Sequence, residues 1–296
     1  MDNFEEARKM RLEWKKSDDH RDLGLPTNPK GVKRYNDISY GPVGVSNLLD
    51  VYEPNNTPGK LPVIVNCHGG GYFYGTKETY QFYGLDWAKR GFAFVNFNYR
   101  LAPETVFPGA LQDTDKVMQW VSENAEEYNL DLNRVFLVGD SAGGNMVLQF
   151  MTAYSNTNYR DWFGFKELDK VNILGAAMNC GVYFLNRPGA ISGAVESYFT
   201  AKVQKEMHEQ MTPQNYIDAT VPPLYVMSAN QDFLHDEAVR MDQFLCDSNI
   251  KHEFKIYGDE DHPRGHVFHV NMRDDLAREC NDDEQKFFEA EFDKVR

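Results

Sequence analysis

The sequence predicts an α/β fold: a mostly parallel, doubly wound sheet covered by helices on both faces. Three observations carry that expectation. From about residue 48 onward, short β-rich runs alternate with longer helical ones. The turn Gly139-Asp140-Ser141-Ala142-Gly143 sits between an apolar run and a helical stretch, and His68-Gly69-Gly70-Gly71 directly follows another apolar run.

Taken in chain order, Phe4, Ala7, Arg11 and Trp14 recur at helical intervals, with Arg8, Lys9, Lys15 and Lys16 around them, before the Gly24-Leu-Pro-Thr-Asn-Pro break. This is an amphipathic helix followed by a loop. Such a helix can lie on a membrane, but docking of its apolar stripe on the protein's own body is the expectation. Strands are expected at 48–53, 62–66, 92–98, 134–138, 171–178, 224–228 and 253–257. Helices are expected at 82–90, 111–128, 143–154 and 236–248, with a terminal one near 283–294. Residues 181–215 break the rhythm with glycine, proline, aromatic residues and a charged helical piece at 201–210. An insertion of that size between core strands is more often a functional lid than a slack loop. The expected organisation is therefore N-terminal cap helices over 1–40, a core made of 41–180 and 216–296, and a cap or lid over 181–215.

Composition narrows the function. The 296 residues are 42% hydrophobic and 26% charged, as in an ordinary globular chain. Thirty-one basic against 45 acidic residues give a net charge of −14, which repels nucleic acid and anionic bilayers on average. No apolar run approaches the length of a membrane span, and the start has neither a basic nor an apolar signal segment, so a cytoplasmic protein is expected. Cys67, Cys180, Cys246 and Cys280 are far apart, with neither a C-x-x-C pair nor zinc-finger spacing, and read as free thiols.

The chemistry is expected at two glycine-rich turns. A G-x-S-x-G at a strand-to-helix turn holds its serine in a tight backbone and leaves the hydroxyl exposed at the sheet's carboxyl edge. Ser141 is the candidate nucleophile. Three successive glycines after a strand let backbone N–H groups converge on one point, as an oxyanion hole requires. Phosphate cradling lacks support, because neither Walker nor G-x-G-x-x-G spacing is present. Beyond the strand at 224–228 lie Asp232, in a loop, and Asp236, at a helix start where an acidic residue is expected merely for the helix dipole. The loop after the last strand holds His262, His266 and His269. Asp259, Asp261, His262 and His266 could suggest a metal cluster, but Pro263 and Gly265 prevent a helix from aligning the histidines, so no metal is assigned.

HGGG at 68–71, Tyr99-Arg-Leu-Ala-Pro-Glu104 followed by Phe107-Pro108, and GDSAG at 139–143 resemble, in this order, the hormone-sensitive-lipase-like branch of the α/β-hydrolases, a family of carboxylesterases and lipases. The resemblance spans roughly residues 48–270. It implies the α/β-hydrolase fold with a cap, and a catalytic order of Ser, Asp, His. The family's D-x-L-x-D pattern matches Asp232, Leu234 and Asp236, which favours Asp232 as the acid. The family's histidine is followed by Gly-Phe; here His266-Val267-Phe268 keeps the aromatic and loses the glycine, so His266 is favoured while His269 and His262 stay as competitors. The oxyanion donors implied are the N–H groups of Gly70, Gly71 and Ala142.

The function these features imply is serine carboxylesterase chemistry on short- to medium-chain acyl esters, through a covalent acyl-enzyme and without a cofactor. An acyltransferase and a non-catalytic ligand receptor on the same scaffold are the alternatives. Tyr72, Phe73, Tyr183 and Phe184 are candidates for lining an acyl pocket, although they read equally as core. The partner expected is a small-molecule ester, with a homodimer left open.

Overall fold

The computed structural model describes residues 3–55 and 57–292. Helix α1 (Asn3–Asp22) leads into strand β1 (Val32–Ser39), then β2 (Leu48–Pro54) and β3 (Leu61–Cys67). There follow α2 (Gln81–Lys89), β4 (Ala93–Phe97), α3 (Gly109–Asn124), β5 (Leu130–Asp140) and α4 (Ala142–Ser155). The remainder runs α5 (Thr157–Phe163), β6 (Ile173–Asn179), α6 (Ala201–Glu206), β7 (Leu224–Ala229), α7 (His235–Asp247), β8 (His252–Tyr257) and α8 (Asp275–Phe292).

The strands form one eight-stranded sheet in the order β1-β2-β4-β3-β5-β6-β7-β8. β2 is antiparallel to both β1 and β4, and every other neighbouring pair is parallel. The mostly parallel sheet is the one that the alternation of runs predicts, and its strand order fits the α/β-hydrolase fold that the resemblance implies. Period-two alternation divides the core between the two faces. Val63, Val65, Val135 and Leu137 point to the side of α3, α4 and α7, while Ile64, Phe136 and Val138 meet Trp87 of α2 and Phe288 of α8 on the other. Residues 142–153 of α4 are buried all round, mostly apolar or small but with Asn145, Gln149 and Thr152 among them.

Strand β4 separates β3 from β5 in the chain but lies outside them in the sheet, so the winding reverses at the β3–β5 pair. Ligand crevices in open α/β sheets form at such a reversal, beyond the strands' carboxyl ends. Cys67 pairs with Gly139 there, so the two glycine-rich turns emerge side by side.

The structure adds elements to the sequence reading. Strand β1 lies on the sheet edge, and its mix of half-buried and exposed residues shows no period-two signal. Its register shifts between Tyr35 and Ile38, where Asp37 adopts φ 57° and donates its N–H to Asp50 Oδ1 at 2.9 Å. The short α5 is capped by Asn156, whose side chain accepts from Tyr159 N at 3.0 Å. The terminal helix starts at Asp275 rather than 283, because Asp274 Oδ1 takes the N–H of Leu276 at 2.9 Å and so caps it earlier. The expected extension to residue 294 falls partly outside the described residues. Within 181–215 the expected charged helix shortens to α6, flanked by 3₁₀ turns Gly193–Ser197 and Pro213–Asn215. Helix α1 rests on the first of these turns, with Asn3 Nδ2 donating to Glu196 Oε2 at 2.5 Å. No described helix is long and apolar enough to cross a membrane.

Candidate active site

Ser141 follows β5 directly and immediately precedes α4, with φ 53° and ψ −115°. A side chain rarely tolerates such a backbone, and here its surroundings hold it. Ser141 N donates to Asn179 O at 3.0 Å, and Ser141 O accepts from Val182 N at 3.2 Å. Gly143 lets α4 approach the end of β3: a Cβ there would lie 1.8 Å from Cys67 O.

The facing turn is built from the glycine run. Gly70 and Gly71 have φ of 111° and 58°, and Gly70 O accepts the N–H groups of Phe73 (3.1 Å) and Tyr74 (2.8 Å). Gly69 N is already committed to Asp140 Oδ1 and Tyr80 Oη, both at 3.0 Å. Among the described residues no acceptor takes the N–H of Gly70 or Gly71. These two donors, with Ala142 N in the first turn of α4, are therefore available to an anion. Burial pushes the Asp140 carboxyl up to about 6, even though Tyr80 Oη donates to its Oδ2 at 2.7 Å. His68 is fully buried and stacks on Tyr99 at 4.1 Å. Its Nδ1 lies 2.8 Å from Gly69 O, which assigns the proton to that nitrogen, and burial lowers its pKa to about 4. The ring is a neutral part of the loop's foundation.

The Tyr99–Glu104 segment braces the same loop. Tyr99 Oη donates to His68 O at 2.8 Å and Ala102 N to Tyr72 O at 2.8 Å. From α1, Arg11 Nε donates to Phe73 O at 2.5 Å, and its Nη2 reaches Ala102 O and Glu104. Sequence reading marked this motif for its resemblance and gave these residues no role. Tyr99 and His68 are 31 positions apart and Arg11 and Ala102 are 91 apart, so no local pattern carries these contacts.

Across the crevice, Asp232 occupies the β7–α7 loop and is buried. Its Oδ1 accepts from His266 Nδ1 and Leu234 N, both at 2.8 Å, and its Oδ2 from Ser228 Oγ at 2.9 Å. Burial pushes this carboxyl up, but the hydrogen bond and charge of His266 outweigh it and leave Asp232 below the ordinary carboxylate range. Asp236 is exposed beside His235. The other two histidines are elsewhere: His269 is buried, with a pKa lowered by burial to about 3, and His262 is exposed beside Asp259. Asp259 Oδ1 takes the N–H groups of Asp261 (2.9 Å) and His262 (2.7 Å), closing a local turn. Only His266 meets Asp232. The positive charge of a protonated His266 is felt at Asp140, the residue before Ser141. No hydrogen bond joins Ser141 Oγ to His266; bonds between nucleophile and base are commonly looser without substrate.

Of the candidate pocket residues, Tyr72, Phe73 and Tyr183 are buried and Phe184 is half-buried. Tyr72 stacks on Tyr198 at 4.4 Å and donates to Asn145 Oδ1 at 2.7 Å; Phe73 packs on Trp14 at 5.0 Å. Tyr183 Oη donates to Met178 O at 3.0 Å, and Phe184 faces Phe244 at 6.2 Å. Phe233 escaped the sequence reading. It is 77% exposed, and its ring lies 4.3 Å from that of His266.

Residues 49–243 match the family model described as BD-FAE, about two thirds of the chain. The chain belongs to the BD-FAE family. Its relatives include esterase LipQ of Mycobacterium tuberculosis, 28% identical over 71% of this chain and 52% of LipQ. Carboxylesterase NlhH of the same organism is 39% identical over 35% of this chain and 34% of its own length. The chain thus spans about half of LipQ and a third of NlhH. These relatives fall in the hormone-sensitive-lipase-like branch of the α/β-hydrolases, to which the motifs point. In fold the BD-FAE member described here is similar to an inhibited esterase B from Lactobacillus rhamnosis, with a TM-score of 0.90 and 20% identity over 100% of this chain and 98% of that one.

Proposed function

We propose that this chain is a serine carboxylesterase for short- to medium-chain acyl esters, with Ser141 as nucleophile, His266 as general base and Asp232 as its orienting acid. The observation that carries this reading is the hydrogen-bonded pair of buried Asp232 and part-exposed His266, together with a serine held at positive φ and a turn with two uncommitted N–H groups. Supporting it are relatives named esterase and carboxylesterase, and an esterase B solved with a tributyrin phosphonate.

Ser141 Oγ attacks the ester carbonyl while His266 Nε2 takes its proton. Asp232 fixes the Nδ1–H tautomer and stabilises the imidazolium. The N–H groups of Gly70, Gly71 and Ala142 receive the oxyanion. The imidazolium then protonates the leaving alkoxide, giving an alcohol and an acyl-enzyme. Water, deprotonated by His266, attacks that ester, and collapse returns the acid and the free Ser141. Helix α1 and the 181–215 segment form the cap, and Tyr72, Phe73, Tyr183 and Phe184 shape the acyl side. Neither metal nor cofactor has a step in this scheme.

Initial rates on p-nitrophenyl esters from acetate to laurate, with Ser141→Ala as the blank, test the reading. Turnover should peak at short chains and fall by about five to six orders of magnitude in the variant. Equal rates in the two proteins overturn it; absence of organophosphate labelling would indicate a non-catalytic receptor, and labelling without turnover a transferase or a narrow-specificity enzyme.

A further inference from the structure

Away from the crevice, the end of α7 and the start of β8 bring together three side chains of metal-ligating type. Asp242 and Cys246 are one helical turn apart and so leave the same face of α7. A tight turn then sets His252, the first residue of β8, against them: Ile250 N donates to Leu245 O at 2.9 Å, and Asn249, at φ 52°, donates its N–H to Cys246 O at 3.1 Å. His252 Nε2 lies 2.9 Å from Asp242 Oδ1 and 3.8 Å from Cys246 Sγ, and all three ligand atoms are within 4.8 Å of one another.

The second ring nitrogen makes the arrangement specific. His252 Nδ1 is 2.8 Å from Ile250 O, an acceptor, so this nitrogen carries a proton. That contact leaves Nε2 facing the Asp242 carboxylate at 2.9 Å. A backbone carbonyl on the far nitrogen is also what typically orients a ligating histidine.

We propose that Asp242, Cys246 and His252 form a binding site for a divalent cation of the zinc class. Imidazole, carboxylate and thiolate together suit a borderline-soft ion. Ligands bound tetrahedrally at about 2.0–2.3 Å stand about 3.3–3.8 Å apart, so the observed separations need only small rotamer adjustments. On binding, the ion replaces the proton on Nε2 and that on Sγ. Bonds form from the metal to nitrogen, sulfur and Oδ1, both protons pass to solvent, and the ion's double charge is balanced by carboxylate and thiolate. Cys246 is exposed, which gives the ion a route in and leaves a fourth position for water. The ion would tie the last turn of α7 to β8.

Cys180, Asp232 and His266 are a second set of the same composition. There both carboxylate oxygens already have donors, and burial pushes the Cys180 thiol well up, so it holds its proton. That set is complete without an ion.

The test uses the full chain, stripped with a chelator and titrated with Co²⁺. The expected result is one equivalent bound with a thiolate-to-cobalt charge-transfer band, displaced by Zn²⁺. The band should vanish in Cys246→Ala, weaken at least about tenfold in affinity in Asp242→Asn and His252→Ala, and persist in Cys180→Ala. Zn²⁺ should raise the Tm of the wild type and not that of Cys246→Ala, whose exposed position allows it to fold. No band in the wild type, a band that survives Cys246→Ala, or one lost in Cys180→Ala would each overturn the proposal.

Discussion

Ser141 can hold a positive φ because its own N–H and C=O are both taken, by Asn179 and Val182, and because Gly143 lets the helix close behind it. The Asp–His pairing makes an equally sharp residue-level prediction. Asp232→Asn should leave far-ultraviolet circular dichroism unchanged and cut kcat on p-nitrophenyl acetate by about four orders of magnitude, since an amide favours the wrong imidazole tautomer. Asp236→Asn should change kcat less than about twofold, because that carboxylate is 80% exposed and faces His235. The two buried histidines act on stability instead. Folding holds His68 and His269 neutral down to about 4 and about 3, against 6.5 in the open chain. The unfolded state therefore binds more protons below pH 6.5, and stability present above that pH is lost as pH falls toward 3–4. Urea midpoints at pH 7 and pH 5 should differ less in His269→Gln than in the wild type. Which residues were legible follows from the same physics. Ser141 and the glycine run are local backbone signals and can be read in a line of sequence. Choosing His266 over His269 and His262 depended on a motif, because burial and the partner 34 positions away are not local.

Among elements, those with a strong period were legible and those held by capping or distant contact were not. The apolar runs of β3, β5 and β7 and the wholly buried α4 stand out in sequence. Strand β1 does not, since an edge strand with a register shift has little alternation to display. Helix α1 was visible as a stripe, yet its most consequential residue lies in that stripe as a cation. Arg11 ties the helix to Phe73 O and Ala102 O, the carbonyls of the two segments that shape the glycine turn. Arg11→Met keeps the aliphatic stem and removes the donors. The expected outcome is a Tm lower by a few degrees, in line with losing hydrogen bonds from a charged group. A several-fold drop in kcat/KM should accompany it, larger than for Lys9→Met on the solvent side, where the pairing with Glu13 is exposed. Thermal melts and esterase rates on the two variants check this.

At the scale of the whole molecule, Glu284 joins elements that are remote in the chain. It lies fully buried on α8, accepting from Asn179 Nδ2 of β6 at 2.9 Å and from Tyr83 Oη of α2 at 3.5 Å. Burial pushes its pKa from 4.5 to about 8, so the folded protein keeps it protonated where the open chain does not. The folded state then binds the extra proton, and stability is greatest below pH 4.5 for this group and falls as pH rises toward 8. Glu284→Gln, which keeps the shape without the charge, should remove this part of the decline, so that Tm measured between pH 6 and pH 9 becomes flatter. An unchanged slope would show that the carboxyl is ionised throughout. The bulge in β1 has a different consequence, one that concerns crowded solutions. An open sheet offers its outer strand as a template for another chain, and aggregates can grow by adding strands to it. Here the ladder is interrupted at Asp37, whose N–H is already spent on Asp50, and Lys33 and Arg34 sit beside the break. A second molecule approaching that rim meets a bent backbone and like charges, so the irregularity that hid the strand from sequence reading also guards the protein against polymerising through it.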